Sequence, residues 1–172
     1  MTRILLALGA LIIFGTVNWQ IAAKERLRNN GQSVFLELAP VDPRSLMQGD
    51  YMALNFVLVR EISGSASGRV VLPVRGSGAA ILRLDEQRVG RFSRMDDGTA
   101  LAPGEMRFRF RLRSEEVWLG TNAFFFHEGE EERYRGARFG EFRVNDDGAA
   151  MLVDLRDIEL RKMLGGPKTN SE

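Results

Sequence analysis

The chain has 172 residues, 24 Lys+Arg against 23 Asp+Glu, a formal net charge of +1, no Cys and a single His. Disulfides, thiol chemistry, Cys-based zinc or iron–sulfur centres and multi-histidine metal sites are therefore excluded within it. The length allows one domain of about 130 residues plus a terminal segment.

Charge is spread unevenly. Residues 1–28 hold four basic side chains and one acid, residues 29–160 hold 17 Arg, 21 acids and no Lys, and residues 161–172 hold three bases and one acid. A net-acidic middle region argues against nucleic acid as a partner. Its Arg side chains are expected to pair with carboxylates and to lay their stems over apolar surface.

Residues 4–23, ILLALGALIIFGTVNWQIAA, carry no formal charge. As a helix they would reach about 30 Å, the thickness of a hydrocarbon core. Residues 1–28 are accordingly predicted to be a retained transmembrane anchor, with Trp19 at an interface. A cleaved signal peptide is the rival, but a cut after Ala23 would put Ile21 where a small residue belongs. Asn29-Asn30-Gly31 is predicted to end the helix.

Residues 29–160 are predicted to form a mainly β, compact antiparallel domain with one short helix, and residues 161–172 a flexible tail. The first strand is Ser33–Ala39. Pro40 and Pro43 then bracket Val41 and Asp42, and Pro fixes φ and lacks a donor. Gly49 and Asp50 suit a turn. The plain reading is a rigid loop delivering the chain into a strand. As an interface, the same loop offers Asp42, Arg44, Gly49, Asp50 and Tyr51.

Tyr51–Glu61 is predicted to be a long strand with two apolar faces, and Ile62–Gly68 a Ser/Gly loop. Strands Arg69–Arg75 and Ala79–Asp85 flank a turn at Gly76-Ser77-Gly78. Arg88–Met95 follows, then a turn at Asp96-Asp97-Gly98. In Glu105–Arg113, EMRFRFRLR, a period of two sends Met106, Phe108, Phe110 and Leu112 inward and Arg107, Arg109, Arg111 and Arg113 outward. The expectation is a solvated face paired with acids of neighbouring strands. A partner surface or an anionic lipid is the other use of such a stripe. Glu116–Leu119 continues as strand. Ala123–His127, with Phe124, Phe125 and Phe126, reads as a buried strand or a docking patch. Glu128–Arg138 is predicted to be the short helix. Phe139–Val144 and Ala149–Leu155 form a hairpin around Asn145-Asp146-Asp147-Gly148.

Catalytic patterns are sparse. A Ser/Lys dyad needs a lysine, and lysine occurs only at positions 24, 162 and 168. No GxSxG elbow accompanies His127, which reads as a structural imidazole. No catalytic residue, metal ligand or cofactor is assigned. A membrane-bound hydrolase would require Asp42, Asp50 and His127 to converge in one cleft.

GDYMALNF at 49–56, entered through PVDPRSLMQ at 40–48, resembles the signature of the GDYXXLXY domain family. Gly49, Asp50, Tyr51 and Leu54 match, and Phe56 stands where the signature ends in Tyr. The segment Ala123–Leu155 is similar too. The resemblance implies a small bacterial protein with an amino-terminal membrane segment, no catalytic residue and no cofactor, associated with a multi-pass integral membrane protein. The expected function is a single-pass, membrane-anchored accessory or assembly subunit at the bacterial inner membrane, with its carboxy-terminal domain in the periplasm. Asp42, Arg44, Gly49, Asp50, Tyr51, Phe124, Phe125 and Phe126 are its interface candidates. The alternatives are the hydrolase and an anionic-lipid-binding module using Arg107, Arg109, Arg111 and Arg113.

Overall fold

The computed structural model describes residues 2–39, 47–48, 51–69, 75–113, 116–121 and 123–163, with the side chains of the first helix described from Gly9 onward. Helix α1 runs Thr2–Asn30 and leads into strand β1, Gln32–Glu37. Short strands β2, Met47–Gln48, and β3, Tyr51–Ala53, precede helix α2, Val57–Arg69. Then come β4, Arg75–Leu84, β5, Gly90–Met95, β6, Glu105–Arg113, β7, Glu116–Trp118, and β8, Ala123–Phe125. A one-turn helix α3, Glu131–Tyr134, precedes the hairpin of β9, Phe139–Val144, and β10, Ala150–Arg156.

These strands make three antiparallel sheets, ordered β1-β9-β10, β2-β3-β8 and β5-β4-β6-β7. One apolar core joins them. Val34 and Leu36 of β1, Phe142 and Val144 of β9, and Leu155 of β10 meet Leu82 of β4 and Phe108 and Phe110 of β6. The period-two reading of β6 holds: Met106, Phe108, Phe110 and Leu112 are all buried. The β4–β5 turn ties the four-stranded sheet to β1. Arg88 takes a left-handed φ of 64° there, and its Nε donates to the Ser33 carbonyl at 2.7 Å. The Phe35 amide donates back to the Arg88 carbonyl at 3.1 Å.

The expected mainly β class needs correcting to a mixed one. The predicted long strand Tyr51–Glu61 stops at Ala53, and the chain turns helical from Val57. Leu58 and Ile62, four apart, share one side of α2 and are both buried. That packing draws the Ser/Gly run expected as a loop into α2. The predicted turn at Gly76-Ser77-Gly78 is the interior of β4. Gly78 lies against the Phe110 ring, where a Cβ would come within 2.5 Å of Cζ. These glycines make room for an aromatic ring instead of turning the chain. The predicted Arg69–Arg75 strand falls mostly outside the described residues.

The transmembrane anchor is overturned. Among the described residues no helix is long and apolar enough to cross a membrane. The uncharged stretch of α1, residues 4–23, is broken by Thr16, Asn18 and Gln20, which lower its hydropathy. The single-pass topology, the inner-membrane and periplasmic placement and the anchored accessory role all rested on that span and go with it. The predicted end of the helix does hold. Gly31 follows α1 directly, its amide donates to the Leu27 carbonyl at 2.9 Å, and a Cβ there would come within 2.4 Å of that oxygen.

Candidate functional site

Among the described residues, three surfaces are open to a partner or ligand. The first is α1. Leu27 is buried, and the helix touches β9 and β10 near its carboxy-terminal end. Further back, Leu11, Ile12, Ile13, Phe14, Val17, Trp19 and Ile21 are 46–72% exposed. Consecutive helical residues are about 100° apart, so residues 11–14 alone face nearly every direction. Two of the three polar side chains among them bond to the helix itself: Thr16 Oγ1 donates to the Ile13 carbonyl at 2.8 Å and Asn18 Nδ2 to the Phe14 carbonyl at 2.9 Å.

The second surface is the β3–β8 rim. Tyr51 stands opposite Phe125 in register, with ring centroids 5.9 Å apart. Phe125 is 74% exposed. Phe124 and Phe126 turn inward onto Tyr134, edge-on at 5.0 Å and stacked at 5.4 Å respectively. Burial pushes the Tyr134 phenol above its ordinary pKa. Of the apolar run 124–126, Phe125 alone is exposed, because alternate residues of β8 point to opposite sides. Asp42, Arg44, Gly49 and Asp50 lie outside the described residues.

The third surface is a cleft of about 510 Å³ between the β6–β7 ribbon and β10, with Lys24 of α1 at its rim. Arg109, Arg111, Arg113, Trp118, Thr121 and Met151 line it. The Arg109 amide donates to the Gly148 carbonyl at 2.8 Å, which brings the tip of the β9–β10 hairpin against β6. The Arg113 guanidinium sits 5.0 Å above the Trp118 ring, a cation–π arrangement.

The expected pairing of the Arg stripe with acids holds at one end only. Arg107 Nε donates to Asp96 Oδ2 at 2.6 Å. Arg109 and Arg111 face Ala79 and Ser77 on β4, and Arg111 faces Trp118 on β7. Glu116 stands in register with Arg113, yet among the described residues Arg109, Arg111 and Arg113 make no ion pair. Sequence reading missed Lys24 and Met151 as companions of this stripe. Nothing local signals a contact between residues so far apart in the chain.

Beside the cleft lies a carboxylate network. The Arg107 hydrogen bond holds Asp96 below its ordinary pKa, and the Ala102 amide, with Arg94, does the same for Glu105. The Thr99 hydroxyl and amide lower Asp97. A carboxylate depressed in the folded state adds stability that is complete above its unfolded pKa of about 4 and is lost as pH falls through the folded value. The melting temperature is therefore expected to drop on acidification from pH 5 to about pH 3, and Asp96→Asn should flatten that drop. Differential scanning calorimetry across this range checks it. An unchanged slope in the variant would count against the Asp96–Arg107 pair.

Of the residues the hydrolase alternative needs, Asp42 and Asp50 lie outside the described residues. His127 is exposed in the loop after β8 and lines none of the described clefts. Among the described residues no cluster of His, Asp and Glu could hold a metal ion.

A family model described as GDYXXLXY protein matches residues 13–155, and the chain belongs to that family. No curated protein and no solved structure matches it. The described part of the signature is largely core: Leu54 and Phe56 are buried, and Tyr51 lies on the β3–β8 rim.

Proposed function

We propose that this member of the GDYXXLXY family is a binding module that docks onto a multi-pass integral membrane protein through α1. The observation that carries it is the ring of seven exposed large apolar side chains from Leu11 to Ile21. A helix apolar all round is stable when surrounded, not when one flank rests on a flat surface. Packed helices of a larger protein offer such an environment. Thr16 and Asn18 raise no obstacle, since both satisfy their hydrogen bonds on the helix itself.

Magnitudes favour a partner that wraps the helix. Covering all seven side chains yields on the order of 10 kcal/mol. Association costs about 4–15 kcal/mol, so covering one face alone would leave little or nothing. The Tyr51–Phe125 rim is the candidate second contact, with an aromatic anchor suited to an interface centre.

A photo-crosslinking residue placed at Phe14, Trp19 or Phe125 of the full chain, expressed at native level, tests this. Phe14 and Trp19 are each expected to capture the same multi-pass protein. Adducts confined to copies of this chain, or scattered over unrelated proteins, would overturn the proposal.

A further inference from the structure

We propose that the cleft between β6–β7 and β10 binds the phosphate group of an anionic ligand. Four cationic side chains line it, Lys24, Arg109, Arg111 and Arg113, and among the described residues no carboxylate does. This departs from the rest of the domain, which is acidic on balance. Elsewhere Arg107, Arg94, Arg143 and Arg156 each meet an acid. Here three exposed guanidiniums of one strand make no ion pair among the described residues and are open to an anion from outside.

The spacing and number favour phosphate over a simple carboxylate. Alternate residues of a strand lie about 7 Å apart, so the three guanidiniums form a row with Lys24 at its rim. One carboxylate would neutralise a single member. A phosphate group presents several oxygens and up to two charges, and Arg forks grip such oxygens two at a time. Trp118 holds Arg113 in place from below.

The cleft also has a less polar exit. A shallower recess of about 430 Å³ shares Lys24 and Met151 with it and adds Gln20, Ile21, Glu25 and Arg28. It leads from the cationic row to the exposed apolar part of α1. A ligand carrying an apolar portion could lay it over Met151 and Ile21 while its phosphate meets the Arg row. Two sources fit this chemistry, the head group of an anionic lipid and a soluble phosphate ester. The inference rests on the cleft alone and is independent of how α1 docks.

The protein carries its own reporter. It has two Trp, so Trp19→Phe in the full chain leaves Trp118 alone beneath Arg113. Trp118 fluorescence is followed while pyrophosphate, dihexanoyl phosphatidic acid, or vesicles with and without phosphatidylglycerol are added at low salt. A saturable change is expected that weakens as salt rises. In Arg109→Gln/Arg111→Gln, with both exposed side chains removed from the row, affinity should fall about tenfold or more. Circular dichroism confirms that this variant folds. A response to pyrophosphate assigns a soluble phosphate compound, and one confined to dihexanoyl phosphatidic acid and phosphatidylglycerol vesicles assigns a lipid head group. No saturable response to any probe, or equal binding by the double variant, would overturn the proposal.

Discussion

Replacing Glu141 with Ala is expected to cost about 3–5 kcal/mol of folding stability. Glu141 lies in β9, the central strand of its sheet, and is 4% exposed. Ser33 Oγ donates to Oε1 at 3.2 Å, and Arg156 Nε donates to Oε2 at 2.8 Å, with Arg156 Nη2 on the same oxygen. Arg143 Nη2 stands 3.8 Å from Oε1. The Arg156 side chain is 12% exposed, with its guanidinium over the Phe35 ring at 6.0 Å. Removing the carboxylate strands that cation and leaves the Ser33 hydroxyl without its acceptor. Against a total stability of about 5–15 kcal/mol, the loss brings the fold near its limit.

Much of this cost comes from breaking the pair, not from the worth of the pair itself. A buried ion pair replaced as a unit by apolar side chains of similar volume is often neutral or stabilising. Glu141→Leu combined with Arg156→Met should therefore recover most of the loss. Urea denaturation of the two variants separates the cases. A Glu141→Ala cost below about 1 kcal/mol would mean that water reaches Arg156 once its partner is gone.

How far this architecture can be read from sequence depends on how many residues each signal needs. Strand β6 is legible because nine consecutive residues obey one period, and burial follows it. The stretch after Tyr51 is not. Met52, Leu54, Phe56 and Leu58 satisfy a period of two, and Leu58 and Ile62 equally satisfy a helical step of four. Local propensity tips the tie the wrong way, since Ser63, Gly64, Ser65 and Gly68 disfavour the helix that forms. Packing of Leu58 and Ile62 into the core decides it. Gly78 misled in the same way: a glycine that makes room for the Phe110 ring looks, in sequence, like one that turns the chain. The alternation in β8 would have singled out Phe125 from its neighbours. The cleft was the least legible feature, since Lys24, Arg109 and Met151 meet only through tertiary packing.

The core should fail most sharply at Phe142. Its ring is fully buried in β9 and meets Phe56 edge-on at 5.3 Å and Phe108 edge-on at 5.5 Å. Phe56 comes from the family signature, and Phe108 from the four-stranded sheet. Phe142 thus couples the segment after β3 to two of the sheets. Gly140 beside it is open enough to seat the Phe56 ring, where a Cβ would come within 2.8 Å of Cε1. Phe142→Ala deletes the transfer energy of the ring and opens a cavity, about 3–5 kcal/mol. The two lost edge-on pairs, about 0.5–1.5 kcal/mol each, are part of that cost. The upper end of that range is expected, because strands paired on both sides of β9 resist collapse into the void. Phe142→Leu keeps most of the volume and should cost clearly less. The control is Phe125→Ala on the exposed rim, whose effect on stability should stay within about 0.5 kcal/mol. If denaturation ranked Phe125→Ala with Phe142→Ala, the three-ring contact would not be what holds the sheets together.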